Sequence, residues 1–177
     1  MQAAHLVCTR WYSISFLRDM LKIEIKPAST PTEFLHAKAL IQEYVTWLGF
    51  DLSFQNFDAE MADLPKMYNK ADGGLFLAYL NHAPVGIAGL RRFSETEAEV
   101  KRMFVKDSAK GMGIGKQLLR TCVETARKLG YQTIKLDTAA FMTAAIKLYT
   151  DQGFVEIDAY RFNPHDHARY FELKLNP

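Results

Sequence analysis

The sequence predicts a mixed α/β fold, with one central, mostly antiparallel sheet, a single parallel crossover and helices on both faces. Three observations predict it. Short segments of period-two alternation recur along the chain, and between them lie segments whose apolar residues repeat at i, i+3 and i+4. One strand-like run, Glu99 to Val105, passes through a glycine-rich turn directly into a helix-like run. The chain has 177 residues, 49% hydrophobic and 24% charged, which suits one domain with a sizeable core.

In chain order, Leu21–Lys26 alternates cleanly and reads as a first strand. Thr30-Pro31-Thr32-Glu33 then offers an N-cap, a proline for the first turn and a capping-box glutamate. The helix they start runs to Leu48 and ends at Gly49. Phe50 to Phe57 reads as loop, and Asp58 to Tyr68 as a short second helix reset at Pro65. Leu75–Leu80 and Pro84–Phe93 are strands joined by the tight turn Asn81-His82, and a central strand starts near Glu97, making an antiparallel meander.

A helix is expected from Lys116 to Leu129 with Gly130 at its end, a strand from Tyr131 to Asp137, and a helix from Phe141 to Gln152 stopped by Gly153. The last two strands fall at Phe154–Tyr160 and Tyr170–Leu175. No repeat or domain boundary interrupts this order, so residues 1–177 read as a single domain. Residues 1–20, with Arg10 and Arg18 and no acid before Asp19, read as an N-terminal extension, since they lack the apolar run and cleavage site of a secretory signal.

Composition excludes several functions. Lys+Arg 22 against Asp+Glu 20 gives +2, too balanced to point to nucleic acid or a membrane surface. No apolar run approaches the roughly 18 residues of a membrane helix. Cys8 and Cys122 make no disulfide framework, Cys122 falls on the apolar face of its helix, and a reducing cytoplasm is the default compartment.

The chemistry concentrates in Lys110-Gly111-Met112-Gly113-Ile114-Gly115-Lys116. Glycine permits positive φ and close backbone approach. N–H groups at a helix start, reinforced by the macrodipole, favour an anion such as a pyrophosphate. The run is not the dinucleotide fingerprint, which needs G-x-G-x-x-G. Nor is it the Walker loop, because Gln117 stands where a hydroxyl residue would hold magnesium. A turn that binds nothing stays open at this point, because glycines also serve tight turns.

Lys110-Gly111-Met112-Gly113-Ile114-Gly115, following a strand that ends Met103-Phe104-Val105, resembles the [Gln/Arg]-x-x-Gly-x-[Gly/Ala] turn of the GNAT N-acetyltransferase superfamily, with Lys110 in place of Gln or Arg. Leu136-Asp137-Thr138 and the run Ala144 to Phe154, containing Tyr149 and Gly153, resemble the family's later strand, its tyrosine-bearing helix and the Gly-Phe that opens the next strand. The resemblance spans residues 21–175.

It implies acetyl-CoA as co-substrate. The pyrophosphate would be held at Lys110, Gly111, Met112, Gly113, Ile114, Gly115 and Lys116, and the pantetheine arm would pair with the backbone of Met103, Phe104 and Val105 between two splayed strands. It also implies that Tyr149 donates to the leaving thiolate and that Glu99, or nearby Glu97, is the base, with an N–H near Met103 or Phe104 as oxyanion donor. Trp47, Phe50, Phe54 and Phe57 are candidates for the acceptor wall, beside an ordinary core role. Lys147 reads as a solvated helix-face lysine, with charge near the donor's adenosine phosphates as the other reading.

His165-x-His167 with Asp166 reads as an ordinary loop rather than a metal site, and no metal is expected. The reading is an N-acetyltransferase acting on a small-molecule amine, with a homodimer left open. The runner-up is a non-catalytic acyl-CoA-binding module. A nucleotide-dependent phosphotransferase is disfavoured by the missing Walker hydroxyl.

Overall fold

A computed structural model describes residues 22–49, 56–68 and 71–175. The expectations for residues 1–20, and for Phe50 and Phe54, lie outside these. Strand β1 (Ile23–Pro27) leads to helix α1 (Pro31–Leu48), which starts as its sequence requires. Thr30 Oγ1 accepts the Glu33 N–H, and Glu33 returns the contact to Thr30 N–H at 3.0 Å. Gly49, at φ 70°, closes the helix in the left-handed conformation that glycine adopts without steric cost.

The single helix expected over Asp58–Tyr68 is instead two, α2 (Phe57–Ala62) and α3 (Leu64–Met67). Asp63 leaves helical geometry at φ −146°, and its carboxylate accepts the Lys66 N–H at 3.1 Å to cap the second piece. Strands β2 (Gly74–Leu80) and β3 (Ala83–Arg92) form the expected hairpin, with Asn81 and His82 at φ 49° and 68°. Strand β4 (Glu97–Val105) follows, then a 3₁₀ turn at Asp107–Ala109.

Helix α4 (Ile114–Lys128) starts two residues before the expected Lys116, because Gly113 already serves as its N-cap. Its C-cap is Leu129 rather than Gly130, which follows at φ 81°. Strand β5 (Thr133–Ala139) sits two residues later than expected, and α5 (Thr143–Asp151) is shorter. Strand β6 is only Val155–Ile157, and β7 is Ala168–Lys174. Tyr160, expected in β6, instead lies against Glu99.

The sheet order is β1-β2-β3-β4-β5-β7-β6, and β4–β5 is its one parallel pair. The crossover through α4 makes that pairing, as anticipated. The sheet is buried on both faces, so β2 reads as a nearly unbroken apolar run. Its Leu75, Leu77 and Tyr79 face α1, with Leu40 and Ile41, while Phe76 and Ala78 face α4, with Leu118, Leu119 and Cys122. Among the described residues no helix is long and apolar enough to cross a membrane.

Gly89 shows how closely this core is filled. A Cβ there would come within 2.3 Å of the Tyr68 ring, which is 3% exposed. Gly89→Ala therefore overpacks a closed site and should cost about 1–3 kcal/mol. Thermal unfolding should show a fall in Tm of several degrees. An unchanged Tm would mean that the ring moves aside freely.

Candidate active site

The glycine turn forms an open helix start. Gly111 and Gly113 have φ 78° and 77°, and a Cβ built on either meets nothing within 4 Å, so the space above the turn is clear. Gly113 supplies no side-chain cap to α4. The first N–H groups of the helix are thus left for a ligand, and the helix dipole adds positive potential there. Lys110 stands beside the turn, its ammonium 2.5 Å from Asp107 Oδ1 and 5.3 Å above the Trp47 ring. These residues fit a pyrophosphate. Lys147 points elsewhere, to Asp151 at 3.0 Å on the exposed face of α5.

Next to the turn, β4 and β5 part. They pair only at Glu97–Thr133, Ala98–Ile134 and Glu99–Lys135, after which β4 pairs with β3 alone and β5 with β7 alone. The gap is a slit walled by Val100–Met103 of β4 and Leu136–Ala139 of β5. Tyr149 and Met142 close it on the α5 side, Tyr44 and Leu48 on the α1 side, and Asn163, His165 and His167 on the loop before β7. Tyr149 is 5% exposed, and burial raises its pKa well above the usual phenol range, so it stays protonated as a donor. Its hydroxyl lies 3.8 Å from Met103 Sδ.

Behind the slit runs a buried network of charges. Glu99 is fully buried and does not line the slit. Its Oε2 accepts from Arg91 Nη2 at 2.9 Å, and its Oε1 accepts from the Tyr160 hydroxyl at 2.8 Å and pairs with Arg161 at 3.1 Å. Lys101 does reach the slit, with Nζ 3.4 Å from Asp137 Oδ1 and 3.8 Å from Glu99 Oε1. Burial disfavours its ammonium and brings its pKa down to about 8, against the opposing pull of Asp137 and Glu99. Burial pushes Asp137 upward, but Lys101 and Arg161 outweigh it and hold the carboxyl below its ordinary value.

Strand β4 also carries a bulge. Ile87 pairs with Phe104 but Gly89 with Lys101, so one extra β4 residue lies between them. Arg102 sits there at φ 55°. The extra residue changes the parity of the strand. Val100 and Met103 both pack on the α4 face, and Phe104 turns to α1, against Tyr44 and Trp47.

The residues named from sequence therefore fall into three groups. Met103 and Tyr149 meet at the slit, and Gly111 to Lys116 line up as the adjoining helix start. Glu99 stands one layer back. Of the proposed acceptor-wall aromatics, Trp47 stacks on Tyr44 beside the slit, and Phe57 lies under the Arg102 guanidinium at 5.2 Å. Sequence reasoning missed Lys101, Tyr160 and the bulge. One local signal for the bulge was available, since the alternation of β4 breaks at Arg102-Met103-Phe104. The loop of His165 and His167, read from sequence as no metal site, lies on the slit wall, with the two rings stacked 5.4 Å apart.

A central sheet whose one parallel pair opens beside an uncapped glycine-rich helix start defines the class of acyl-CoA N-acyltransferases. Comparison with known proteins agrees. The profile of the Acetyltransferase (GNAT) family matches residues 37–154. An uncharacterized N-acetyltransferase of Schizosaccharomyces pombe is 30% identical over 87% of this chain and 96% of its own length. A GNAT-family acetyltransferase from Staphylococcus aureus superposes with a TM-score of 0.74, at 24% identity, over 88% of this chain and 100% of its own. A Salmonella typhimurium protein solved with its cofactor acetyl-CoA superposes with a TM-score of 0.67, at 16% identity, over 87% of this chain and 94% of its own. The chain belongs to the GNAT family and is an acetyl-CoA-dependent acyltransferase.

Proposed function

We propose that the chain moves the acetyl group of acetyl-CoA to a primary amine of a small molecule by direct attack in a ternary complex. One observation carries the reading: the slit between β4 and β5 is lined by both Tyr149 and Lys101. The open start of α4 at Gly111 to Lys116 supports binding of the donor's pyrophosphate, and the β5-facing edge of β4 at Met103–Val105, which β5 leaves unpaired, supports pairing with its amide arm. The slit, bordered by Leu48 and His165 and about 70 Å³ in volume, supports a small acceptor over a protein surface.

Transfer requires a neutral amine, a stabilised oxyanion and a protonated leaving thiolate. In our reading Lys101, in its neutral form, takes the proton from the acceptor's ammonium, and the free amine attacks the thioester carbonyl. Main-chain N–H groups near Met103 and Phe104 stabilise the oxyanion. As the C–S bond breaks, Tyr149 donates its proton to the thiolate sulfur, and the second proton shed by the attacking nitrogen restores the Tyr149 hydroxyl. Glu99, the base expected from sequence, then acts through Lys101 by setting its proton affinity.

The pH profile tests this division of labour. A protonated Lys101 cannot accept, so kcat/KM should fall about tenfold per pH unit below about 8 and level off above it. Glu99 raises the Lys101 pKa, so Glu99→Gln should move that acid limb to lower pH. If Glu99 were itself the base, the limb would disappear instead. If the limb followed only the amine's own pKa across acceptors, Lys101 would have no part in it.

A further inference from the structure

Glu60 lies outside both the glycine turn and the slit, yet it is completely buried (0% exposed). A buried carboxylate is costly unless its oxygens are satisfied, and these are. Arg102 Nε donates to Oε1 at 2.9 Å, Arg102 Nη2 to Oε2 at 2.6 Å, and the Tyr68 hydroxyl to Oε1 at 2.7 Å. Burial alone would raise the Glu60 pKa, but the two Arg102 contacts outweigh it and hold the carboxyl below its ordinary value.

This whole arrangement holds one residue of unusual backbone. At φ 55° Arg102 occupies the left-handed region that arginine rarely adopts, which persists only where the surroundings enforce it. The enforced residue is the extra one of the β4 bulge, directly before Met103. Met103 in turn touches the Tyr149 hydroxyl and comes within 3.7 Å of a Cβ built on Gly115 at the start of α4.

We infer that Glu60 is a positioning residue for the transfer proposed above. By clamping Arg102 it holds the bulge, and through the bulge it aims the main chain of Met103–Val105 and keeps Met103 against Tyr149. The inference rests on that reading of the slit. Released from Glu60, Arg102 relaxes toward extended backbone and the extra residue is absorbed. The parity of the strand then reverts, turning Met103 from Tyr149 and Phe104 from Tyr44. A glycine at position 102 would adopt φ 55° unaided, so the clamp does by contact what glycine does by lacking a side chain.

The test pairs Glu60→Gln with the double variant Glu60→Gln/Arg102→Gly. Glutamine keeps the volume and the Tyr68 contact but loses the charged two-point acceptance. The expected result is a fall in kcat of at least about tenfold in Glu60→Gln, with little change in the KM for the amine, and recovery of most of that loss in the double variant. A purely structural role would lower Tm without this pattern of loss and rescue.

A second readout needs no turnover. In methyl-labelled protein the Met103 ε-methyl resonance, assigned with Met103→Leu, should move in Glu60→Gln and return in the double variant. A folded Glu60→Gln with wild-type kcat and an unmoved methyl resonance overturns the inference, as does a loss that Arg102→Gly fails to relieve. If the wild type acetylates no amine, the transfer reading fails and the methyl resonance still judges the clamp. Should Glu60→Gln not fold, Arg102→Lys, which keeps the charge but offers one contact for two, carries the same expectation for the resonance.

Discussion

Tyr149→Phe should lower kcat by about 100- to 1,000-fold and leave acetyl-CoA affinity within about twofold of wild type. The size of the effect follows from where the hydroxyl stands. It lies on the slit wall, on a buried side chain whose neighbours include Phe154 and Phe171, at ring distances of 6.0 and 6.2 Å. Phenylalanine keeps those ring contacts and removes only the donor. The hydroxyl faces Met103 sulfur at 3.8 Å, a weak acceptor, so little folding stability rests on it. Steady-state kinetics paired with calorimetric titration of acetyl-CoA separates the outcomes. Equal, small effects on turnover and binding would remove Tyr149 from the chemistry.

Gly113→Val should abolish measurable stabilisation by acetyl-CoA and raise its KM by at least about tenfold. Position 113 has φ 77° and is the N-cap of α4, so its conformation decides where the first free N–H groups of that helix point. A β-branched residue is a genuine outlier there, and the turn must rearrange to relieve it. No Cβ clash contributes, since nothing lies within 4 Å. The control follows from the same reasoning. Asparagine tolerates the left-handed region, so Gly113→Asn should retain most of the binding. Thermal unfolding with excess acetyl-CoA reads both, because a ligand at about 100 times its Kd adds roughly 2.7 kcal/mol. A Gly113→Val protein that is still stabilised like wild type would place the pyrophosphate elsewhere.

What the sequence made legible was what neighbouring residues decide among themselves. Thr30-Pro31 and Glu33 specify the start of α1 within four positions, Asn81-His82 specify the hairpin, and the glycine turn marks the start of α4 to within two residues. The slit was legible only through the family resemblance, which implied that β4 and β5 splay apart. The environment of Glu99 was not, because its partner Tyr160 is 61 residues away and the end of β6 had to turn aside to bring it there. Lys101 and Asp137 meet across 36 residues, and Arg102 and Glu60 across 42. Local propensity has no access to such pairs, and each decides a property that the sequence alone leaves undefined: the proton affinity of Lys101 or the conformation of Arg102. Asp63 shows the same limit at short range. Helix and cap are both open to an aspartate, and contacts of the folded chain select the cap.

The most direct measurement is thiol release from acetyl-CoA by the purified protein against a panel of small primary amines, with Tyr149→Phe as the control and acetylated product identified by mass. The account predicts release that requires both acetyl-CoA and a particular amine, stoichiometric with N-acetylated product and nearly lost in Tyr149→Phe. Tight binding of acetyl-CoA with no amine-dependent release from any member of the panel, or of a matching peptide panel, would contradict it and leave an acyl-CoA-binding module in its place.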